Sequence, residues 1–274
     1  MRRAFDSHIH LSGRRDDLLR EFAKSNGLRY NLPELLATMK KNNVVHGLLL
    51  SPPLRDGSPL PNEDILELCA KSEGMLSPVL TVEPTRRQVA AAVKLAEASS
   101  GRVRGFKVRL GYVDALAGSR VFGPAYDYAE SQGMPVLFHT GDTATPDGDL
   151  MASHPLTLDR LAGTRPELKM VLCHFGNPWI EDAAELVYKH PNVYADTSGL
   201  TTGGGSYAEK FAGMLARKLS EAVYFAGGAE KILFGTDYPV TTYPDAIALI
   251  ESMDVSETDK DRMFWGNARR LFGP

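Results

Sequence analysis

Cysteine is scarce in this chain, since Cys69 and Cys173 are the only two among its 274 residues. Two thiols cannot build a disulfide framework, which excludes the class of small proteins whose fold depends on several disulfide bridges. A chain with so few cysteines is typical of a reducing compartment. We therefore expect a cytoplasmic protein.

Long apolar runs and blocks of like charge are also missing. No apolar run approaches the roughly 20 residues of a membrane-spanning helix, and the start, Met1-Arg2-Arg3, lacks the apolar stretch of a signal peptide. The net charge is −3, with neither a basic block nor an acidic tail. These absences argue against binding to membranes and nucleic acids, and they leave a small molecule as the expected partner.

The sequence instead contains a regular alternation of strand-like and helix-like segments. Eight short runs rich in Val, Ile, Leu and Phe alternate with amphipathic stretches of helix-forming residues. Nearly continuous apolar runs are typical of parallel strands that are buried on both faces. The predicted strands are Ala4–His10, Val44–Ser51, Leu76–Val82, Val103–Leu110, Pro135–Thr140, Met170–His174, Val193–Thr197 and Ile232–Thr236.

This alternation predicts an α/β fold, a closed (β/α)8 TIM barrel. One such domain takes about 250 residues, so a single domain would occupy residues 1–274. An open doubly wound sheet is the alternative, weakened because no Gly-x-Gly-x-x-Gly follows the first strand. Two long or glycine-rich connections, Leu11–Leu32 and Thr197–Gly205, are either parts of an active-site lid or ordinary solvated loops.

Two histidines, His8 and His10, end the first predicted strand. Alternate residues of a strand point to the same side, so the two imidazoles can bind one metal ion together. Three further residues of metal-binding type, His139, His174 and Asp237, end predicted strands five, six and eight. Since the active sites of such barrels lie at the C-terminal ends of the strands, the five side chains together predict a metal site.

Several motifs give the whole chain a resemblance to the amidohydrolase superfamily, and most to its amidohydrolase-related branch, which includes aminocarboxymuconate-semialdehyde decarboxylase. The motifs are His8-Ile9-His10, Gly105-Phe106-Lys107, the histidines of strands five and six, Pro191-Asn192-Val193-Tyr194, Asp196-Thr197-Ser198-Gly199, Gly235-Thr236-Asp237-Tyr238-Pro239 and Gly266-Asn267-Ala268-Arg269-Arg270-Leu271-Phe272.

The resemblance implies that His8, His10, His139 and Asp237 hold one divalent metal ion and that His174 lies beside its bound water. Such a centre keeps a net positive charge, which lowers the pKa of bound water from about 15.7 towards about 7. Asp237 can then accept the water's proton, and His174 can donate to or polarise a substrate oxygen. We expect zinc, with manganese, iron or another divalent ion as alternatives.

Strand four bears on the number of metal ions. Some members of the superfamily carry a carboxylated lysine there that bridges two metals, and nuclease relatives carry a glutamate. The segment Arg104–Arg109 offers no carboxylate, which counts against the nuclease. We favour one metal with Lys107 as an ammonium ion, and a two-metal site with carboxylated Lys107 is the alternative.

Cationic residues near the strand ends suggest an anionic substrate. The candidate substrate-binding residues are Arg55, Arg86, Lys107, Arg109, Asn177 and Trp179. Arginine pairs well with carboxylates, although each of these arginines can equally make surface ion pairs. Trp179 can form a wall of the site or pack at the start of a helix.

We expect a metal-dependent hydrolase in which activated water attacks an amide, ester or lactone of a small, carboxylate-bearing substrate. A non-oxidative decarboxylase that uses the same site is the alternative, and a non-enzymatic barrel that binds a metal or ligand is an alternative of another class. A homodimer is expected by analogy with the branch. Asp6 is expected either to be structural or to support the metal ligands from behind them, and Asp196 is expected to be structural rather than catalytic. Cys173 is expected to face away from the metal.

Overall fold

The structure, a computed structural model, describes residues 2–201 and 205–273, with the side chains of residues 205–209 left aside. The described residues form an eight-stranded parallel sheet in the order β1 to β8, in which each strand pairs with the next along the chain. The strands are β1 (Ala4–His10), β2 (Val44–Leu50), β3 (Leu76–Thr81), β4 (Gly105–Val108), β5 (Val136–Phe138), β6 (Met170–Leu172), β7 (Val193–Asp196) and β8 (Ile232–Leu233).

Helices lie between the strands and cover the outside of the sheet. They are α1 (Arg20–Ser25), α2 (Leu32–Lys41), α3 (Asn62–Ala70), α4 (Arg86–Ala98), α5 (Gly123–Ser131), α6 (Leu150–Ser153), α7 (Asp159–Thr164), α8 (Ile180–Lys189), α9 (Gly205–Phe225), α10 (Tyr243–Glu251), α11 (Glu257–Asp261) and α12 (Asn267–Phe272). The predicted TIM barrel is confirmed. Of the predicted glycine-rich connection, residues 202–204 lie outside the described residues.

The barrel closes where the chain after β8 meets β1. Ser7 donates its backbone N–H to Phe234 O at 2.9 Å, and His10 donates to Tyr238 O at 2.8 Å. Between these two bonds, Asp237 donates its N–H to His8 O at 2.8 Å. The closure therefore places Asp237 directly beside the two histidines of β1, although more than 200 residues separate them in sequence.

A bulge in β1 decides which of its side chains face the barrel interior. Phe5 packs in the inner apolar cluster, whereas Ile9 packs in the outer cluster beneath the helices, although both have odd numbers. The register of β1 against β2 shifts between Asp6 and Ile9, which accounts for the change of face. As a result His8 and His10, rather than Ser7 and Ile9, point inward.

The C-terminal helix is fixed to the barrel by one buried amide. Asn267 Nδ2 donates to Ala229 O at 2.6 Å and to Ile232 O at 2.8 Å, and the residue has no solvent exposure. This helix, α12, is separated from α11 by a π-helical turn, Arg262–Gly266.

Among the described residues, no helix is both long and apolar enough to cross a membrane. The single domain over residues 1–274, the homodimer and the cytoplasmic location stay predictions.

Replacing Asn267 by Ala should lower the free energy of unfolding by about 2–3 kcal/mol, because two buried carbonyl groups lose their donor. Urea unfolding followed by circular dichroism would measure the change. Glu185→Ala on the exposed face of α8 is the control and should stay within about 0.5 kcal/mol of the parent. Equal stability of the Asn267 variant and the control would contradict the assigned role.

Candidate metal centre

The two histidines of β1 bring their Nε2 atoms together inside the mouth of the barrel. His8 Nε2 lies 3.2 Å from His10 Nε2. On the far side of each ring, Nδ1 meets an oxygen atom: His10 Nδ1 lies 3.0 Å from Leu50 O, and His8 Nδ1 lies 3.1 Å from Asp196 Oδ2. A carbonyl or carboxylate oxygen can only accept, so both Nδ1 atoms carry the proton and both Nε2 atoms keep their lone pairs.

Asp237 completes this group from the other side of the barrel closure. Its Oδ1 lies 3.1 Å from His10 Nε2 and 3.5 Å from His8 Nε2. Asp237 has a φ of 59°, in the left-handed region that side chains other than glycine seldom adopt. Strain of this kind persists where surrounding contacts enforce it, and it is common at functional sites.

The donor set of His8, His10 and Asp237 fits a divalent cation. Their ligand atoms all lie within 4.8 Å of one another. Two lone pairs and a carboxylate oxygen that converge without a proton between them repel each other, and a cation among them would remove that repulsion. Imidazole and carboxylate groups in this combination suit zinc and other first-row divalent metals.

His174 follows β6 and lies between the other histidine rings. Its ring centroid is 4.9 Å from that of His8 and 5.0 Å from that of His139. The backbone of His174 is left-handed, with φ of 60°, and its N–H donates to Asp196 Oδ1 at 2.8 Å. Its Nδ1 lies 3.2 Å from Ser198 O, so the other nitrogen, Nε2, is the one that is free to act in the site.

His139 is placed next to the centre but outside the group of three ligand atoms. Its ring packs at 4.9 Å from that of Tyr112, and its Nε2 lies 3.0 Å from Asp142 O. Because a carbonyl oxygen accepts, Nε2 is the protonated nitrogen here and Nδ1 is the one that can bind a metal. Its role as the fourth ligand stays a prediction.

Burial decides the protonation of the histidines. Burial, reinforced by the charge of Lys107, lowers the pKa of His139 to about 3. Burial likewise holds the pKa values of His8 and His174 well below the usual range. These rings are therefore neutral near pH 7, which is the state that binds metal. Burial raises the pKa of Asp237.

Lys107 lies on the inner face of β4, with its Nζ 2.8 Å from Cys173 Sγ. Cys173 belongs to the inner apolar cluster, so the expectation that it faces away from the metal is wrong. The alternation rule fails because His174 has left-handed backbone, which lets two successive side chains both reach the interior.

The predicted substrate-binding arginines have different surroundings. Arg109 is buried and donates to Glu83 Oε1 at 3.2 Å and to Gly57 O at 3.1 Å, so it joins the connections that follow β2 and β3. Arg55 is exposed. Arg86 is also exposed and borders a surface cleft of about 380 Å³ between α4 and α5, which none of the metal-type residues lines.

Asn177 and Trp179 follow His174 and are both half-buried. Asn177 O accepts the backbone N–H of Asp142 at 2.8 Å, which joins the connections after β5 and β6. The ring of Trp179 packs against His154 at 4.6 Å. Contact of either side chain with a substrate stays a prediction.

The sequence predicts a structural role for Asp196 and either a structural role or support of the metal ligands for Asp6, and it gives Ser198 no role of its own. Asp196 accepts from His8, from the backbone of His174 and from Ser198, and so orients two rings of the site. Ser198 Oγ lies 3.1 Å from His8 Nδ1 and 2.9 Å from His174 Nδ1. One feature of the sequence could have assigned Asp196 and Ser198 to the site: both residues lie at the end of β7, at the same end of the barrel as the histidines.

Residues 5–273 match the amidohydrolase family. Among curated proteins, a segment of 142 residues is 30% identical to gamma-resorcylate decarboxylase from Polaromonas sp.. The match covers 46% of this chain and 41% of the relative, so it spans less than half of that protein's length.

Solved structures share the fold over nearly the whole chain. An uncharacterised TIM-barrel protein from Bordetella bronchiseptica has a TM-score of 0.77 and 20% identity over 98% of both chains. A probable 2-pyrone-4,6-dicarboxylic acid hydrolase from Acinetobacter baumannii, with citric acid bound, has a TM-score of 0.68 and 18% identity over 99% of both. A dihydroxybenzoic acid decarboxylase from Polaromonas sp., with manganese and 2-nitroresorcinol bound, has a TM-score of 0.68 and 16% identity over 99% of this chain and 97% of that one. At such identities the likeness shows the fold alone.

Asp196→Asn should weaken metal binding about 10- to 100-fold, because the orienting acceptor of His8 Nδ1–H loses its charge. Competition with a chromogenic chelator would measure the affinity for Zn²⁺ and Mn²⁺. Asp142→Asn, which alters an exposed carboxylate near the mouth, is the matched control and should bind as the parent does. An unchanged affinity in the Asp196 variant would sink the assigned role.

The ring of His139 should remain neutral in the folded, metal-free protein from pH 8 down to about pH 4, since its pKa is about 3. In urea the same ring should titrate near pH 6.5, the ordinary value for histidine. Imidazole nitrogen shifts in a ¹⁵N-histidine-labelled sample would follow both states. A folded-state midpoint near 6.5 would show that the ring is solvated rather than buried.

Proposed function

The chain belongs to the amidohydrolase family, and from that membership we propose that it is a metal-dependent, non-oxidative decarboxylase of a small aromatic carboxylate. The proposal rests on the convergence of His8, His10 and Asp237 at the mouth of the barrel, which fits a divalent metal. The choice of decarboxylation over hydrolysis is supported by the similarity to gamma-resorcylate decarboxylase. This choice reverses the order in which the sequence alone ranks the two reactions.

We propose that His8, His10 and Asp237 hold one divalent ion, with His139 as the fourth ligand through Nδ1. Zinc is the ion that the sequence predicts, and manganese is the ion bound in the Polaromonas decarboxylase of similar fold. The bound ion would supply positive charge that stabilises negative charge on substrate oxygens. His10 is held for this role by Leu50 O, and His8 by Asp196.

The reaction breaks the bond between the ring and its carboxylate carbon, releases carbon dioxide and forms a C–H bond with one proton. No water is consumed and nothing is oxidised. Asp237 is the proposed proton donor: its Oδ1 faces the two histidines of β1, which leaves Oδ2 to carry a proton to the substrate. His174 is the proposed second catalytic group, and its free Nε2 would face a substrate oxygen.

The substrate would enter between the connections that follow the strands. Lys107 and Arg109 are the proposed cationic contacts from β4, and the Glu83 partner of Arg109 holds that guanidinium at the rim. Asn177 and Trp179 would line the side next to His174. Arg55 and Arg86 are exposed, and among the described residues neither makes an ion pair, so we assign them only to attracting anions towards the protein.

The metal-loaded protein should convert 2,6-dihydroxybenzoate to 1,3-dihydroxybenzene and carbon dioxide. Chromatography and a coupled bicarbonate assay would measure both products, and D₂O should place one deuterium on the ring. A parallel incubation with 2-pyrone-4,6-dicarboxylate tests the hydrolase alternative. Addition of water to that lactone, without carbon dioxide release from either compound, would falsify the decarboxylase proposal.

Asp237→Asn should lower kcat by about 100-fold or more, because the variant loses the proton donor. It should also bind metal more weakly, since a neutral amide replaces a charged ligand. Activity is therefore compared at saturating Mn²⁺, with metal content measured in the same samples. Asp142→Asn again serves as the control and should keep the parent rate. Full activity of the Asp237 variant at full metal content would rule out its role.

A further inference from the structure

Lys107 is a buried cation without a carboxylate partner among the described residues. It is 4% exposed, and its one recorded hydrogen bond goes to Cys173 Sγ at 2.8 Å. An ammonium group has three N–H donors, and a thiol is a weak acceptor. Lysine is almost never buried unless it is paired, so this group lacks the anion that its burial requires.

Thr81 on β3 is a second under-used polar group at the same level. It is the register partner of Lys107, and registered neighbours in a parallel sheet point to the same face. Thr81 is 4% exposed, and in the described part of the chain its Oγ1 has no hydrogen-bond partner. Its backbone is fixed by Asn62, which accepts from Thr81 N at 2.8 Å and donates to Thr81 O at 2.9 Å.

Lys107 and Thr81 lie where the barrel interior changes from polar side chains near the mouth to apolar side chains near the opposite end. One step towards the mouth on the same strands, Glu83 and Arg109 form an ion pair. One step towards the opposite end, Val79 belongs to the inner apolar cluster and Gly105 has no side chain. A ligand that enters past the metal centre would therefore meet Lys107 and Thr81 as its last polar contacts.

The surroundings of Lys107 point to an anion at this depth. In the described part of the chain its ammonium group forms no ion pair with a carboxylate, and its side-chain hydrogen bond goes to a thiol. One negatively charged ligand group would pair with this ammonium, and burial makes that pairing stronger than it would be in water.

We propose that Lys107 and Thr81 form the floor of the substrate pocket, a subsite that binds an anionic oxygen of the substrate through ammonium and hydroxyl donors. The subsite rests on the proposed function, since it names the part of the substrate that this end of the pocket would hold. A carboxylate and a phenolate present the same chemistry to two donors, so both are candidates for the oxygen.

Calorimetry on the Mn²⁺-loaded protein can test the subsite by binding alone. The probes are 2,6-dihydroxybenzoate, benzoate and 1,3-dihydroxybenzene, which separate the contribution of the carboxylate from that of the hydroxyls. Lys107→Met should weaken binding of the recognised probe about 10- to 100-fold, and Thr81→Val about 3- to 10-fold. If the variants lose most affinity for benzoate, the subsite binds the substrate's carboxylate. If they lose most affinity for 1,3-dihydroxybenzene, it binds a phenolic oxygen.

Two further variants separate a lost contact from a disturbed fold. Thr81→Ser keeps the hydroxyl and should restore most of the affinity that Thr81→Val loses. Ser77→Ala removes a hydroxyl from the same face of β3, but that hydroxyl is already paired with His46 Nε2 at 2.9 Å. The Ser77 variant should therefore bind the probes as the parent does. Metal content and circular dichroism would be measured for every variant.

Unchanged affinity in both Lys107→Met and Thr81→Val, with metal content intact, would overturn the subsite. So would a parent protein that binds none of the three probes. If the parent binds benzoate and Lys107→Met does not, while no carbon dioxide is released, the subsite stands and the decarboxylase proposal fails. If the parent releases carbon dioxide and both variants bind the probes as the parent does, the decarboxylase proposal stands and the subsite fails.

Discussion

The site depends on the carboxylate of Asp6, which joins the first strand to the last. Its Oδ1 accepts the backbone N–H of His8 at 3.0 Å and that of Thr236 at 3.0 Å, and its Oδ2 accepts from Thr236 Oγ1 at 2.6 Å. These contacts position two proposed metal ligands, because His8 is one of them and Asp237 directly follows Thr236. The centre is therefore assembled by barrel closure, and its ligands cannot meet before the two ends of the chain do. Burial raises the pKa of Asp6 to about 7, so the ionised form that accepts these bonds is costly to bury.

A second buried carboxylate that is costly to bury and that positions the site lies at the end of β7. Asp196 is fully buried and accepts from His8, from His174 and from Ser198, so it gathers polar groups that an apolar core would exclude. Beside it, Gly199 has a φ of +68°, and a β-carbon there would lie 3.1 Å from both Asp237 Oδ2 and His174 Nδ1. Two features therefore favour glycine at this position: the backbone conformation and the closeness of the Asp237 and His174 side chains.

The sequence predicts the fold well because the barrel is made of local patterns. All eight strands were predicted at their places, since buried parallel strands are short apolar runs between helices. The sequence also predicts that His8, His10 and Asp237 lie close together, because the C-terminal ends of all strands in a parallel barrel lie at the same end of it. It fails where the backbone is irregular: the left-handed conformation of His174 lets Cys173 and His174, which are successive residues, both reach the interior. The bulge in β1 likewise breaks the simple alternation between Phe5 and Ile9. The hydrogen-bond partners of Asp196 and Arg109 could not be predicted from the sequence, because they depend on which distant atoms each side chain meets.

Hydrolysis and decarboxylation need the same metal ligands, so the choice between them must come from the remainder of the pocket. A hydrolase must take a proton from water, which favours a carboxylate that is already ionised. A decarboxylase must give a proton to carbon, which favours a carboxyl that holds its proton. A cation that bound only the departing carboxylate would stabilise the reactant more than the transition state, because that charge moves into the ring. Lys107 would therefore accelerate decarboxylation most if it bound a substrate oxygen on which negative charge grows during the reaction, such as a phenolic oxygen.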